Sequence, residues 1–305
     1  MSPAMAFKET SATVTRVNPA AAEAVSRVAV RPLAGEHERE VLDFLAARPL
    51  HTVVMASFIR DNGLVSPLNR GTFYGCRNEE GALEGVALIG HTTLVEAHTD
   101  AALEAFARVA QGCPSAHVIL GEREKIERLW SYYAEAGQSP RLICRELLFE
   151  QKWPVRVREE VAGLRPATLD DLDLVAPVQA QMAFEESGVN PLERDPEGFR
   201  RRCARRIEQG RVWVWVEGGR LIFKADVVAE TPEVNYLEGV WVNPEERGKG
   251  YGLRCVSQLS RTLLMKSGAV SLLVNERNRD AAALYSKAGY KLRGCYDTIF
   301  LQQSN

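Results

Sequence analysis

The stretch YLEGVWVNPEERGKGYG, residues 236–252, admits few folds. Residues 236–243 are aromatic and β-branched with a short polar interruption, the make-up of a strand buried on at least one face. Asn243-Pro244 signals a turn, and Pro244 has no N–H to give to a ladder, so the strand ends there. From Leu253 the apolar residues recur at Val256, Leu259, Leu263 and Leu264, the spacing of a helix with one buried face. Residues 247–252 are therefore expected to form a glycine-rich loop between a strand and the first turn of a helix.

Glycines at 248, 250 and 252 permit positive φ and put no Cβ in the way of a close ligand, so amide N–H groups can converge on one point. Such a concavity at the positive end of a helix suits phosphate or pyrophosphate, and Arg247 and Lys249 add charge to it. The expected ligand is an anion. The lysine is not followed by Ser or Thr and the four-residue spacer is missing, which excludes a nucleoside-triphosphate P-loop. The loop also lacks the first glycine pair of the dinucleotide fingerprint and comes late in the chain. A tight strand-to-helix turn that binds nothing is the plainer alternative.

Further on, residues 269–274 form another apolar run. NERNRDAAALYSKAGYKL (275–292) then reads as a polar turn, a short helix and a Gly-aromatic stop. Three features together resemble the GNAT superfamily of acyl-CoA-dependent N-acetyltransferases. They are Arg247, Gly250 and Gly252 as Arg-x-x-Gly-x-Gly, the Val-x-Pro-Glu run before it, and residues 278–290 as Asn-x-x-Ala-x-x-Leu-Tyr-x-x-x-Gly-aromatic. The resemblance implies acetyl-CoA as co-substrate and no metal. It also implies that backbone groups of Val240, Trp241 and Val242 pair with the pantetheine arm, and that amides of Gly248, Lys249, Gly250, Tyr251 and Gly252, with Arg247 beside them, hold the pyrophosphate. Asn278 is then expected to touch the cofactor, and Tyr285 matches the family's tyrosine that donates to the CoA sulfur. For Tyr285 the alternative is a helix tyrosine packed on the sheet.

N-acetyl transfer needs a base for the amine proton. Glu238 is the candidate, because a carboxylate on a largely apolar strand needs a reason to be there. Aminoglycoside-type members of the superfamily carry a similar Leu-Glu-Gly-aromatic stretch. A structural ion pair for Glu238, or a water chain as base, stays open. Glu185, Glu186 and Asp226 are weaker candidates.

The 305 residues suit one large or two ordinary domains, and 46% apolar with 26% charged content is that of a soluble globular protein. A net charge of −2 gives no general pull toward nucleic acid or anionic membrane. Cysteines at 76, 113, 144, 203, 255 and 295 form no Cys-x-x-Cys pair, so reduced thiols and a cytoplasmic location are expected. No apolar run approaches a membrane span.

The chain is expected to hold two tandem GNAT-like α/β (α+β) domains, each a mixed, mostly antiparallel sheet flanked by helices. Residues 1–27 are a lead-in with a helical turn at 19–27, 28–151 the first domain, 152–163 a linker and 164–305 the catalytic domain. Leu164-Arg165-Pro166 repeats Val30-Arg31-Pro32, and SYYAEAG (131–137) repeats ALYSKAG (283–289), pairing Tyr133 with Tyr285. The closing strands match Cys144 with Cys295 and Phe149 with Phe300. Where the second half has its glycine loop, the first has HTTLVEAHTDAALEAF (91–106), with no glycine and with Glu96 and Asp100 to repel a pyrophosphate. The first domain is therefore expected to be degenerate. It would support the second, wall its cleft or make a homodimer contact. Its five histidines, residues 37, 51, 91, 98 and 117, show no ligand spacing. The helix at 196–209 carries Arg200, Arg201, Arg202, Arg205 and Arg206, either a solvated face or an anion reader.

The activity expected is acetyl transfer from acetyl-CoA to a primary amine, by direct attack in a ternary complex. The acceptor is a small molecule or a protein amine. A binding protein that senses acyl-CoA without turnover is the alternative.

Overall fold

A computed structural model describes residues 28–156 and 159–302; the expected lead-in with its helical turn at 19–27 lies outside the described residues. The first half runs β1 (Ala29–Pro32), α1 (Glu38–Ala46), α2 (Pro49–Asn62), β2 (Gly71–Arg77), β3 (Leu83–Gly90) and β4 (Thr92–Ala97). It continues with α3 (Asp100–Gln111), β5 (Val118–Glu122), α4 (Arg123–Tyr133) and β6 (Pro140–Gln151). The second half runs β7 (Leu164–Pro166), α5 (Leu172–Ser187), α6 (Pro191–Arg194), α7 (Pro196–Glu208), β8 (Val212–Glu217) and β9 (Arg220–Glu230). Then come β10 (Val234–Val242), α8 (Tyr251–Leu264), β11 (Ala269–Asn275), α9 (Arg279–Lys287) and β12 (Lys291–Leu301). The strand before Pro244, the helix from Leu253, the apolar run at 269–274 and the helix at 196–209 fall where the sequence places them.

The strands form a single twelve-stranded sheet in the order β1-β2-β3-β4-β5-β12-β6-β11-β10-β9-β8-β7. Only β4 with β5 and β10 with β11 are parallel; the other neighbours are antiparallel. The order is symmetric about β6 and β12, and each of these strands has crossed into the other half's territory. β6 pairs with β11, Val270 facing Gln151 and Asn275 facing Glu146. β12 pairs with β5, Tyr296 facing Glu122, and the two exchanged strands pair with each other from Lys291 opposite Glu150 onward.

Side chains follow the exchange. Phe149 of β6 lies in the core beneath α8 and α9 with Phe223, Leu237, Cys255, Leu259 and Leu272, while Ile299 and Leu301 of β12 lie in the core beneath α3 and α4 with Phe106, Ile119 and Leu129. Each such residue removes apolar area from water worth about 1.5–3 kcal/mol. The repeat holds in plan but not at every match proposed from sequence. Val118 and Ala269 open equivalent parallel pairs, so Glu122 corresponds to Leu273. Glu122 faces Tyr296 and Leu273 faces Leu148, so the closing strands align Tyr296 with Leu148 and not Cys295 with Cys144.

Helix α7 is a docking element. Arg205 donates to Asn62 at 2.9 Å and Arg206 reaches buried Asp226 at 2.8 Å, while Arg200 pairs with Asp173 and Arg202 with Asp195. Four of its five arginines are thus engaged within the chain, while Arg200, Arg201 and Arg202 lie on an exposed face of the helix.

A fragment of residues 152–305 lacks β6, leaving β11 and β12 with open facing edges. Expressed alone it should aggregate or show no cooperative thermal transition by circular dichroism. Co-expression with residues 1–151 should restore both solubility and the transition.

Candidate active site

The parallel pairing of β10 with β11 runs from Val234 opposite Ala269 to Leu237 opposite Leu272 and then stops. From Glu238 on, β10 keeps only β9 as neighbour, and a bulge falls between Glu238, opposite Asp226, and Trp241, opposite Lys224. Gly239 makes that bulge with φ +59°; a Cβ there would stand 2.9 Å from the Lys224 ammonium. Strands that part in this way leave backbone groups of residues 238–242 facing open space, the edge expected to meet an extended ligand arm.

A cavity of about 770 Å³ fills the gap. Glu238, Val240, Asn278 and Tyr285 line it, whereas Trp241, Val242 and residues 247–252 lie beyond its wall. Helix α5 contributes Met182, Glu185 and Glu186, and β6 contributes Leu142, Cys144 and Glu146. The first half thus supplies part of the wall through its exchanged strand.

The glycine loop folds as the sequence requires at two of its three glycines. Gly248 and Gly250 both take φ +79°, and an added Cβ at either would meet nothing within 4 Å. Gly250 begins the 14-residue α8 with no side-chain cap, so the first-turn amides are left for another acceptor. Gly252 serves packing instead: a Cβ there would come 2.9 Å from Leu284 and 3.2 Å from Val242. Arg247 donates from Nε to the Val242 carbonyl at 3.2 Å, and Lys249 lies 2.6 Å from Glu246. Tyr251 sets its ring edge-on to Trp215 at 4.9 Å. Positive-φ glycines over open space and an uncapped helix start fit a pyrophosphate group, so the residues present suit the acyl-CoA that the sequence implies.

Tyr285, on α9, is 7% exposed, and its hydroxyl has no hydrogen-bond partner among the described residues. Burial pushes its pKa above the usual phenol range, which keeps the proton on. Asn278 caps α9 by accepting from the Ala281 amide at 3.0 Å. Glu238 faces the cavity, and its side chain is exposed to it between the walls of the cleft. Enclosure raises its proton affinity, against the nearby Arg206 guanidinium and a hydrogen bond from Tyr236. Asp226 is not available as a base. It is 1% exposed and holds both Lys224, at 2.8 Å, and Arg206, at 2.8 Å.

Four further glutamates line the same space, Glu146, Glu185, Glu186 and Glu276, and two of them have a raised proton affinity. Burial, with Glu238 as a repelling neighbour, pushes Glu146 up to about 6 despite a hydrogen bond from Thr298. Glu186, whose side chain stays exposed to the cleft, is pushed up to about 7 by the surrounding protein, by Glu238 and by Glu146. Glu146 escaped the sequence reading. Its signal was the one that marked Glu238, a carboxylate in an otherwise apolar strand, but nothing in RLICRELLFEQ says that this strand leaves its own half.

The equivalent cleft of the first half is shut. Glu96, in the position of Glu238, is 3% exposed and bound by Arg48 at 3.0 Å and Lys125 at 2.6 Å. Arg48 also holds Glu122 at 2.7 Å, and His51 meets Tyr296 at 2.8 Å. About 40 Å³ remains. The β4–α3 connection is His98-Thr99, and Thr99 caps the Ala102 amide itself at 3.3 Å. Filling and ion pairing close this cleft, not the repulsion expected from Glu96 and Asp100, since Asp100 too is paired, with Arg128 at 2.8 Å.

With this geometry in view, residues 225–299 match the family model described as FR47-like protein. No curated protein sequence matches the chain. Among solved structures, a Drosophila protein aligns with TM-score 0.66 at 14% identity, over 90% of this chain and 99% of that one. A GCN5-related N-acetyltransferase from Sphaerobacter thermophilus aligns with TM-score 0.54 at 15% identity, over 90% of this chain and 95% of that one. A tandem GNAT protein from the clavulanic acid biosynthesis pathway gives TM-score 0.54 at 16% identity, over 91% of this chain and 100% of that one. The fold is that of the GNAT acetyltransferases. More particularly, it is the doubled GNAT architecture, with one open cleft and one closed. No helix among the described residues is long and apolar enough to cross a membrane.

The raised carboxyls set a pH dependence. Glu186 binds its proton more tightly folded than unfolded, so its contribution to stability is lost as pH rises from the ordinary 4.5 through about 7. The melting temperature of Glu186→Gln should equal that of the parent below pH 4.5 and exceed it increasingly up to pH 8. Asp226→Asn should lower stability by about 3–5 kcal/mol in urea titration, because it leaves Lys224 and Arg206 uncompensated.

Proposed function

We propose that the protein is an acyl-CoA-dependent N-acetyltransferase that acts in its second half, moving an acetyl group from acetyl-CoA to a primary amine within a ternary complex. The observation that carries this reading is the parting of β10 and β11 at Glu238. It puts an enclosed carboxyl, an unpaired buried hydroxyl and a free strand edge around one cavity, with an uncapped helix start at the end of the same strand.

The pyrophosphate sits against the amides at Gly248, Lys249, Gly250, Tyr251 and Gly252, with Arg247 nearby. The pantetheine arm lies along the free edge at Val240, Trp241 and Val242, and Asn278 contacts it from the start of α9. Holding thioester and amine together supplies much of the acceleration, since effective molarities of about 10⁵ M or more are attainable for well-oriented groups.

An ammonium group cannot attack. Glu238 takes the amine's proton, and its raised proton affinity brings it nearer to that of the acid it must deprotonate. The amine nitrogen then bonds to the acetyl carbon, the carbon–sulfur bond breaks, the leaving thiolate takes the Tyr285 proton, and the second proton shed by the nitrogen as it becomes an amide returns to the Tyr285 oxygen. A cytoplasmic location and the absence of nucleic-acid and membrane partners go with this reading.

The test is calorimetric titration with acetyl-CoA, followed by a thiol-release assay across an amine panel. One site per chain and amine-dependent thiol release are expected. Binding without release would instead make the protein an acyl-CoA sensor. Glu238→Gln should lower kcat about 10²-fold or more and abolish the acid limb of the pH–rate profile. Tyr285→Phe should lower kcat while leaving acetyl-CoA affinity unchanged.

A further inference from the structure

The cavity holds more carboxyls than acetyl transfer to a simple amine requires. Glu238 suffices for proton removal. Glu146 and Glu186 stand across from it on two other elements, β6 and α5. Neither forms an ion pair with any described residue, although Glu146 accepts from the Thr298 hydroxyl and the exposed Arg145 and Arg277 line the same space. Beside these carboxyls the wall is apolar, formed by Leu142, Ile143, Met182 and Ala183. A second, independent feature marks the space as a ligand site: the 93%-buried Tyr285 turns an unpartnered hydroxyl into it.

We propose that the acceptor is a small aliphatic diamine, bound with one amine at Glu238 and its second, unreacting ammonium held between Glu146 and Glu186 across an apolar stretch of wall. This rests on the acetyltransferase reading above for its chemistry but not for its binding. An ammonium between two carboxyls removes the repulsion that burial imposes on the empty site. An acceptor with one amine and an alkyl tail leaves both carboxyls facing hydrocarbon, and one with a carboxylate tail adds a third like charge. Glu146 comes from the first half, so acceptor choice depends on the exchanged strand while the acyl-CoA groups come from the second half alone. Because Glu146 and Glu186 titrate near neutrality when empty, capture of the ammonium releases protons.

Two measurements on the full-length protein test this. The first is steady-state acetylation of putrescine, n-butylamine and γ-aminobutyrate. Putrescine should exceed n-butylamine in kcat/KM by about 10- to 100-fold, the range for hydrogen bonds to a charged group, and γ-aminobutyrate should be poorest. Glu146→Gln and Glu186→Gln should each raise the KM for putrescine about tenfold or more. They should leave the KM for acetyl-CoA within about twofold. Equal use of n-butylamine and putrescine, or an unchanged putrescine KM in both variants, would overturn the proposal.

The second measurement is calorimetric titration of putrescine alone, near pH 7, in two buffers of different ionisation enthalpy. Binding with proton release, weakened in both variants, is expected whether or not any amine is acetylated. A protein that binds putrescine this way but acetylates nothing would refute the acetyltransferase reading and keep the diamine site. One that acetylates amines but shows no putrescine binding here would do the reverse.

Discussion

The pairing of β6 with β12 at the centre of the sheet is the constraint on which the rest depends. Each strand closes one half of the chain in sequence and completes the other half in space. Antiparallel hydrogen bonds from Lys291 opposite Glu150 onward tie the exchange together, and Phe149 on one side with Ile299 and Leu301 on the other bury apolar surface across it. The symmetry of the strand order follows directly, because each half offers β5 or β11 as an edge that its own last strand does not cover. So does the composition of the cavity wall, since the strand that covers β11 brings Glu146 with it.

The two clefts show how one plan reaches opposite ends. Both parallel pairs part after a few residues, and both put a glutamate at the parting, Glu96 in one and Glu238 in the other. In the first half Arg48 and Lys125 saturate that charge, α2 lies over the gap, and the helix that follows is capped by Thr99. In the second half a bulge at Gly239 turns the strand aside. The cations beneath it are committed to Asp226, the helix start is left uncapped, and Glu146, Glu186 and Glu238 share a space with no ion-pair partner among the described residues. Ion-paired charge fills the first cleft, while carboxyls held only by hydroxyl donors line the second.

Much of this was legible along the chain. The strand ending at Pro244, the positive-φ glycines at 248 and 250, the α8 periodicity from Leu253 and the cap at Asn278 are local matters, settled by backbone sterics and by which faces are apolar. The absence of glycine at 98–99 likewise showed that the first half could not offer the same loop. The limits were physical too. Gly252 looked like its two neighbours in sequence but answers to Leu284 and Val242, and four of the five arginines of α7 looked like part of one surface cluster but find Asp173, Asp195, Asn62 and Asp226.

By itself the sequence determined the kind of elements, their order, the doubled plan and the loop that suits an anion, because each depends on neighbours within a few residues. Only the tertiary structure decided that the halves exchange their last strands, that Glu146 joins Glu186 and Glu238 in one cavity, and that Asp226 is locked in an ion-pair network. These depend on which strand edges meet. Two edges related by near-symmetry look alike in sequence, and they are told apart only by the packing of the whole sheet.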